Sequence, residues 1–267
     1  MGRYFKFDSN TFNFATRCDV NVKYDNFTDF TFGGERDQRI YGLTKITPSL
    51  TCAYDVDGLK FLINVLGTVS ANGVTVTVAD LPEIGSISAL VEAEYAGISF
   101  AKIDTWDFTI EEGSPAKAEF SAIGKNTVAA GPATYSSDFC SAVLMPSDCR
   151  VTINTSSIDF SRFNLKINNG LDPIFKTSTL PTTIRPTGLE IEGKIRVPSY
   201  IGTVVTNGSL RLVCGTIGNI DLATIRVTEI PSKVTGYNIP ETEYSFTAFP
   251  TCNGQAIKAI LSNTIKW

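Results

Sequence analysis

The chain has 267 residues, of which 43% are hydrophobic and 19% charged, and it carries a formal net charge of −4 with no histidine. That much apolar surface supports a sizeable core and excludes a disordered chain, while the slight acidity gives no support to a protein that coats nucleic acid. Without histidine, the commonest general base near neutral pH is missing, together with the Ser-His and Cys-His pairs of many hydrolases. The composition therefore favours a folded protein that is not an enzyme and uses no cofactor.

The sequence contains no segment of the kind that crosses a membrane. Its apolar runs, such as residues 59–66, are far shorter than the roughly 20 residues that a spanning helix needs. Residues 1–8 alternate polar and aromatic side chains and lack the apolar centre of a secretory signal. We therefore expect synthesis and folding in a cytoplasm, with no membrane partner.

The N-terminal region carries two features that suit contacts between subunits. Its aromatic residues Phe5, Phe7, Phe12 and Phe14 form either an edge strand within the chain, which we favour, or an arm on a neighbour. In residues 27–40, aromatic side chains give way to a Gly-Gly pair and then to mixed charges. A long loop with complementary charges is typical of a subunit contact, although an ordinary solvated turn explains the pattern equally well. The candidate contact residues are Phe32, Glu35, Arg36, Asp37 and Arg39.

One helix is predicted at about residues 57–66. Leu59, Leu62, Ile63 and Leu66 follow helical spacing, and Gly67 stands where a helix commonly ends. Either Asp55 or Asp57 is placed to cap its first turn. Such a short helix needs a sheet to pack against.

Most of the chain after residue 70 is predicted to form strands. Apolar and polar residues alternate with period two, which places one strand face in a core and the other in solvent. The clearest segments are residues 74–78, 108–111, 151–153, 165–167, 189–192 and 244–247. Asn72-Gly73, Glu112-Gly113, Asn168-Asn169-Gly170 and Asn207-Gly208 predict turns between strands. Residues 255–261 fit a helix or a final strand.

Two domains are expected, covering residues 1–130 and 131–267. Residues 125–137 are small and polar and contain Gly and Pro, as in a connection between domains. Residues 106–113 and 163–170 share one pattern, in which an aromatic residue opens an alternating strand and a glycine closes it. This echo suggests a duplication, although any strand that ends in a glycine turn gives a similar pattern.

Six cysteines leave three interpretations open. Cys18, Cys52, Cys140, Cys149, Cys214 and Cys252 are free thiols or small buried residues, our leading interpretation, or they form disulfides, or they bind a metal. A metal site would have to use thiolates and carboxylates alone. Among cross-links, Cys140 with Cys149 is the easiest, because a hairpin would bring them together.

No catalytic or metal-binding pattern stands out. Asp104 and Asp107 flank Trp106, which in a sugar hydrolase would suggest a carboxylate pair. Because they are three residues apart on a predicted strand, we expect them to face opposite sides. We assign no catalytic, metal or cofactor site.

Three stretches of the chain resemble the tail tube proteins of tailed bacterial and archaeal viruses, in their long, two-domain form. In residues 42–67, a strand at residues 48–54 leads into the predicted helix and ends on Leu66-Gly67. The second stretch is residues 103–113 followed by residues 118–124, and the third is residues 160–195, where residues 163–171 precede residues 184–193. Together they cover about half the chain, and the cysteine content and the lack of a clear helix in the second half depart from the family pattern.

The resemblance implies a mainly β protein of two tandem β-sandwich or barrel domains, each with a short flanking helix. It implies a structural protein of the virion tail, made in the host cytoplasm, that assembles with copies of itself and other tail proteins. Three copies would form a pseudo-hexameric ring, with a hexamer as the alternative, and stacked rings would pass genomic DNA without binding it specifically. Two other hypotheses remain: another virion protein (distal tail, hub, capsid or fibre), or a β-sandwich that binds or hydrolyses glycans.

Overall fold

The computed structural model describes most of the chain, with gaps in its loops and at both ends. The residues described are 4–7, 10–12, 15–25, 28–30, 39–41, 45–71, 73–91, 94–128, 143–198, 205–229, 232–233, 241–251 and 254–262.

The described residues before position 130 form twelve strands and one helix. The strands are β1 (Tyr4–Phe7), β2 (Asn10–Phe12), β3 (Ala15–Asp25), β4 (Thr28–Phe30), β5 (Arg39–Tyr41), β6 (Lys45–Asp55), β7 (Gly67–Val69), β8 (Thr75–Val78), β9 (Ile84–Val91), β10 (Glu94–Glu111), β11 (Lys117–Ile123) and β12 (Asn126–Val128). The helix α1 (Leu62–Leu66) lies between β6 and β7.

The described residues after position 142 form eleven more strands, so the protein is mainly β, as predicted. They are β13 (Cys149–Ile153), β14 (Ser156–Ile158), β15 (Arg162–Asn168), β16 (Leu171–Ile174), β17 (Thr183–Pro186), β18 (Glu190–Pro198), β19 (Gly208–Cys214), β20 (Gly218–Glu229), β21 (Ser232–Lys233), β22 (Glu241–Phe249) and β23 (Ile257–Leu261). A 3-10 turn, Pro146–Asp148, precedes β13. In the described part of the chain, no helix is long and apolar enough to cross a membrane.

A continuous antiparallel sheet of eight strands runs through both halves of the chain. Its order is β3, β6, β11, β10, β15, β18, β22 and β20. The pairing of β10 with β15 joins strands from before and after residue 130. The sheet therefore consists of two four-stranded parts that share one seam.

The core lies against one face of this sheet and contains its largest aromatic residues. Trp106 and Phe108 stack with ring centroids 5.3 Å apart, and the Trp106 Nε1–H donates a 3.1 Å hydrogen bond to the Tyr54 hydroxyl. Phe163 and Phe246 lie in the second part of the sheet, and both are almost fully buried. Burial of this kind is the main stabilising contribution to the fold.

The two halves of the chain repeat one strand order. In the first half, β1 and β2 form a hairpin on β9, β9 pairs with the N-terminal part of β10, and β12 pairs with that part too. In the second half, β13 and β14 form a hairpin on β19, and the N-terminal part of β20 pairs with β19 and β23. Each hairpin is followed by two strands that are adjacent in the sheet, β3 and β6 or β15 and β18. Each half also inserts a separate two-stranded hairpin between those strands, β4–β5 or β16–β17.

One element of the first half has no counterpart among the described residues of the second. Helix α1 leads into the hairpin β7–β8, which turns at Gly73 as predicted. Strand β8 pairs with β23, so this hairpin extends the second half's strands. The corresponding connection, between β18 and β19, includes residues 199–204, which lie outside the described ones.

The echo between residues 106–113 and 163–170 is not the repeat. These segments occupy β10 and β15, which are paired with each other across the seam. In the repeated strand order, the counterpart of β10 is β20 and that of β15 is β3. The similarity of the two segments does not indicate a duplication, because an alternating strand that ends in a glycine turn is common in antiparallel sheets. The boundary at residue 130 stays a prediction.

The helix ends at the predicted residue but begins later than predicted. Gly67 stands at its C-terminal end with φ 114°. The helix starts at Leu62 after a turn in which the Leu62 N–H donates to the Leu59 carbonyl. Its N-cap residue is Phe61, without a side-chain cap, so the prediction that Asp55 or Asp57 caps it was wrong.

Most of the predicted strands and turns are confirmed. The six alternating segments lie in β8, β10, β13, β15, β18 and β22, and residues 257–261 form the strand β23 rather than a helix. Gly113 and Gly170 have positive φ after β10 and β15. The prediction of a turn between strands at Asn207-Gly208 was wrong, because Gly208 begins β19. The Asn207 side chain accepts a 2.8 Å hydrogen bond from the Val227 N–H. The N-terminal residues pair within the chain, with β1 on β9.

Gly193 tests how tightly the second part of the sheet is packed. A Cβ at this position would overlap the Phe246 ring, whereas nothing lies within 4 Å of a Cβ at Gly188. We expect Gly193→Ala to lower the free energy of unfolding by about 1–3 kcal/mol, the usual cost of overpacking. Gly188→Ala, the matched control, should change it by less than about 0.5 kcal/mol. Chemical denaturation measures both, and equal effects would contradict this packing.

Candidate assembly surfaces

The seam between β10 and β15 is an antiparallel contact with charged and polar pairs on one face. Its register places Asp107 opposite Lys166 and Glu111 opposite Arg162. The Arg162 guanidinium lies 3.9 Å from the Glu111 carboxylate, and the Asn164 side chain donates to the Asp107 carboxylate. Cross-strand pairs of opposite charge stabilise a sheet and fix its register.

Within the described part of the chain, the eight-stranded sheet has an open edge at each end. Among the described strands, β6 is the only one paired with β3. At the opposite end, β19 pairs with β20 only as far as Ile225, and the rest of β20 and β21 pairs with β22 alone in the described part of the chain. Open edges present unpaired backbone groups to other chains.

Core-face side chains are less buried at the β3 edge than at the seam. On β15, Phe163, Leu165 and Ile167 have no exposed surface. On β3, Val20 and Val22 are only half-buried, and Tyr24 exposes 61% of its surface. The difference follows from the neighbouring strand, because β10 covers β15 and no described strand covers the outer side of β3.

A disulfide joins Cys18 on β3 to Cys52 on β6, at directly opposed positions with Cα atoms 4.2 Å apart. The leading interpretation of the cysteines as free thiols was therefore wrong for these two residues, and nothing in their spacing selects them as a pair. Cys149 and Cys214 are buried free thiols on opposed positions of β13 and β19. The hydrogen bond with Cys149 raises the pKa of the Cys214 thiol, and burial raises it further. Cys140 lies outside the described residues, and its bond with Cys149 stays a prediction.

The face of the sheet away from the core is polar, with acidic and basic residues in balance. Its basic residues include Arg17, Lys23, Lys45, Lys117, Arg162, Lys166, Lys194, Arg196 and Arg226. Its acidic residues include Asp19, Asp55, Asp107, Glu111, Glu119, Glu190, Glu192, Glu241 and Glu243. Several cations are held by carboxylates, which reduces the positive potential that this face offers to a phosphate.

Glu243 is the centre of one such cluster. Its carboxylate lies 3.2 Å from Lys194 Nζ and 3.1 Å from Arg196 Nη2, and Arg196 Nε lies 3.6 Å from Glu241. Partial burial raises the pKa of Glu243, but the hydrogen bonds from Arg196 and Lys194 outweigh it, so this pKa lies below its ordinary value. The cluster spans the neighbouring strands β18 and β22.

The two inserted hairpins lie at the same end of the sheet. The Ile46 N–H, just after the first hairpin, donates a 2.8 Å hydrogen bond to the Thr179 carbonyl in the second. Lys45 Nζ lies 5.4 Å from the centre of the Phe175 ring. Of the predicted contact residues, Arg39 is in β5, and Phe32, Glu35, Arg36 and Asp37 lie outside the described residues. Their role stays a prediction.

Asp104 and Asp107 have structural partners. The Asp104 carboxylate accepts a 2.8 Å hydrogen bond from the Leu171 N–H, and Asp107 binds Asn164. A bulge between Ile103 and Thr105 resets the alternation, so Ile103 and Trp106 are both buried although they are three residues apart. Spacing alone therefore did not justify placing the two carboxylates on opposite sides.

Comparison with known proteins identifies the family of this chain. A family model described as phage tail tube protein matches residues 43–248, and the chain belongs to this family. It is therefore a structural protein of the virion tail, where it assembles into the tube with other tail proteins. The match does not support a capsid, fibre or glycan-binding protein, and the family's role is structural rather than catalytic. A search of curated proteins gave no match.

The Glu243 cluster predicts a dependence of stability on pH. Because the pKa of Glu243 is lower in the folded chain, its ion pairs add stability above the unfolded-state pKa, and this is lost as the pH falls through the folded-state pKa. Glu243→Gln should lower the free energy of unfolding at pH 7 by more than at pH 3. Glu192→Gln on β18 is the control. A Glu243→Gln effect that is the same at both pH values would contradict this role.

Proposed function

We propose that three copies of this chain close a ring, that the rings stack into the tail tube, and that the viral genome passes through the channel. The observation that carries the proposal is the repeated strand order, in which each half contributes four strands to one sheet. A chain with two such units needs three copies where a one-unit chain needs six. The predicted domains, residues 1–130 and 131–267, are these units.

The open edges support ring closure. A sheet whose two end strands each have one edge that no described strand covers can continue into the next copy, and a closed ring has no free edge. The hexamer of whole chains remains the alternative. It would place twice as many units in each ring.

The polar face of the sheet suits the wall of a DNA channel. Its charges are balanced, and Lys194, Arg196 and Arg162 have carboxylate partners. A wall without a net positive charge does not hold phosphates by counterion release. DNA would therefore pass without specific binding, and the function would be mechanical, with no catalytic step or cofactor.

The inserted hairpins suit the contact between stacked rings. Both lie at one end of the sheet, and the loop of β4–β5 contains the predicted contact residues Phe32, Glu35, Arg36 and Asp37. Mixed charges on such a loop would fix the rotation of one ring on the next. Synthesis in the host cytoplasm and assembly onto other tail proteins complete the proposal.

Assembly of the purified full-length chain tests the proposal. We expect hollow tubes or discs by negative-stain electron microscopy at high concentration, and discs with the mass of three chains by native mass spectrometry. Discs of six chains would contradict the three-copy ring. A chain that stays monomeric at high concentration would contradict the tube itself.

A further inference from the structure

We propose that neighbouring copies join by pairing the open edge of β3 in one copy with the β20–β21 edge of the next, in the register of the internal β10–β15 seam. The inference rests on the proposed function and specifies its contact between copies. The partner is a second copy of this chain, because the chain already contains one contact of this kind between its own two units.

Strand register fixes which residues correspond in the two halves. Each unit has one β-bulge that serves as a reference point, in β10 between Ile103 and Thr105 and in β20 between Val227 and Glu229. From each bulge, one row of directly opposed residues can be followed across the four strands of the unit. The first row is Asp19, Thr51, Ser121 and Thr105. The second row is Asn164, Lys194, Ser245 and Glu229. In this order each residue of the first row corresponds to one of the second, so that Asp19 is the counterpart of Asn164 and Thr105 that of Glu229.

The outer ends of the paired strands agree with this correspondence. It aligns the end of β6 at Asp55 with the end of β18 at Pro198, and β2 at Asn10–Phe12 with β14 at Ser156–Ile158. The buried positions on β6 also fall on the buried positions of β18. Matched bulges and strand ends leave a single register for the comparison.

If β20–β21 of one copy pairs with β3 of the next in the register of β10 on β15, each residue pair of the internal seam predicts one pair between copies. Thr105 pairs with Asn168, four residues after Asn164. Its counterpart Glu229 therefore pairs with Lys23, four residues after Asp19. Thr109 pairs with Asn164, so its counterpart Lys233 pairs with Asp19.

The charges of these residues are complementary. Glu229 meets Lys23, and Lys233 meets Asp19. The internal seam has the same property, with Asp107 opposite Lys166 and Glu111 opposite Arg162. Complementary pairs favour this register. A register shifted by four residues would be disfavoured, because it would place Glu229 opposite Asp19 or Lys233 opposite Lys23.

The core-face residues of β3 indicate that this edge is covered in the assembly. Cys18, Val20 and Val22 correspond to Phe163, Leu165 and Ile167, which β10 covers completely. A strand paired at the same register would bury the half-exposed valines in the same way. Ring closure thus extends the core across each junction.

Cysteine cross-linking of the full chain in assembled tubes tests the register. The in-register variants are Lys23→Cys with Glu229→Cys and Asp19→Cys with Lys233→Cys. The controls exchange partners: Lys23→Cys with Lys233→Cys, and Asp19→Cys with Glu229→Cys, whose positions are offset by four residues, about 13 Å along a strand. We expect disulfide-linked chains on non-reducing gels for the in-register variants, with a ladder that ends at three chains, and at least tenfold less product for the controls.

Each other outcome overturns a defined part of the account. Equal or greater linking in the controls would overturn the register. Normal tubes with no link in any variant would overturn the seam and leave the tail tube function standing. A wild-type chain that forms neither rings nor tubes would overturn the proposed function and the seam with it.

Discussion

The antiparallel pairing of β10 with β15 is the contact on which the rest of the structure depends. It joins two four-stranded sheets into one and covers the core face of both, so that Trp106, Phe108, Phe163 and Leu165 are almost fully buried. Such a seam is stable because it combines a complete backbone ladder with apolar burial on one side and paired polar groups on the other. The same combination is what an open edge lacks.

The residues at the two open edges of the sheet disfavour pairing with unrelated chains. Edge strands aggregate when they are flat and apolar, and charged residues reduce this tendency. Strand β3 carries Arg17, Asp19 and Lys23 on its polar face, and the Cys18–Cys52 disulfide ties it to β6. Charges of this kind disfavour most partners while accepting one whose charges are complementary. Solubility and specific assembly then follow from the same side chains.

Sequence patterns predicted local structure well and long-range structure poorly. Period-two alternation located β13, β15 and β22, and Gly67, Gly73 and Gly113 marked where elements end, because backbone conformation and burial act over a few residues. The start of α1 was missed since no side chain caps it. Cys18 and Cys52 are 34 residues apart, and only the register of β3 on β6 pairs them. The repeat was equally hidden, because it lies in the order of strand pairing rather than in similar residues.

A cryo-electron microscopy reconstruction of tubes assembled from the full chain tests the three-copy ring and its junction together. We expect threefold rotational symmetry, a wall of eight strands from each chain with the balanced polar face toward the channel, and β3 of one copy beside Glu229 and Lys233 of the next. Sixfold symmetry, or a wall in which the outer edge of β3 has no partner strand, would contradict the three-copy ring and its junction.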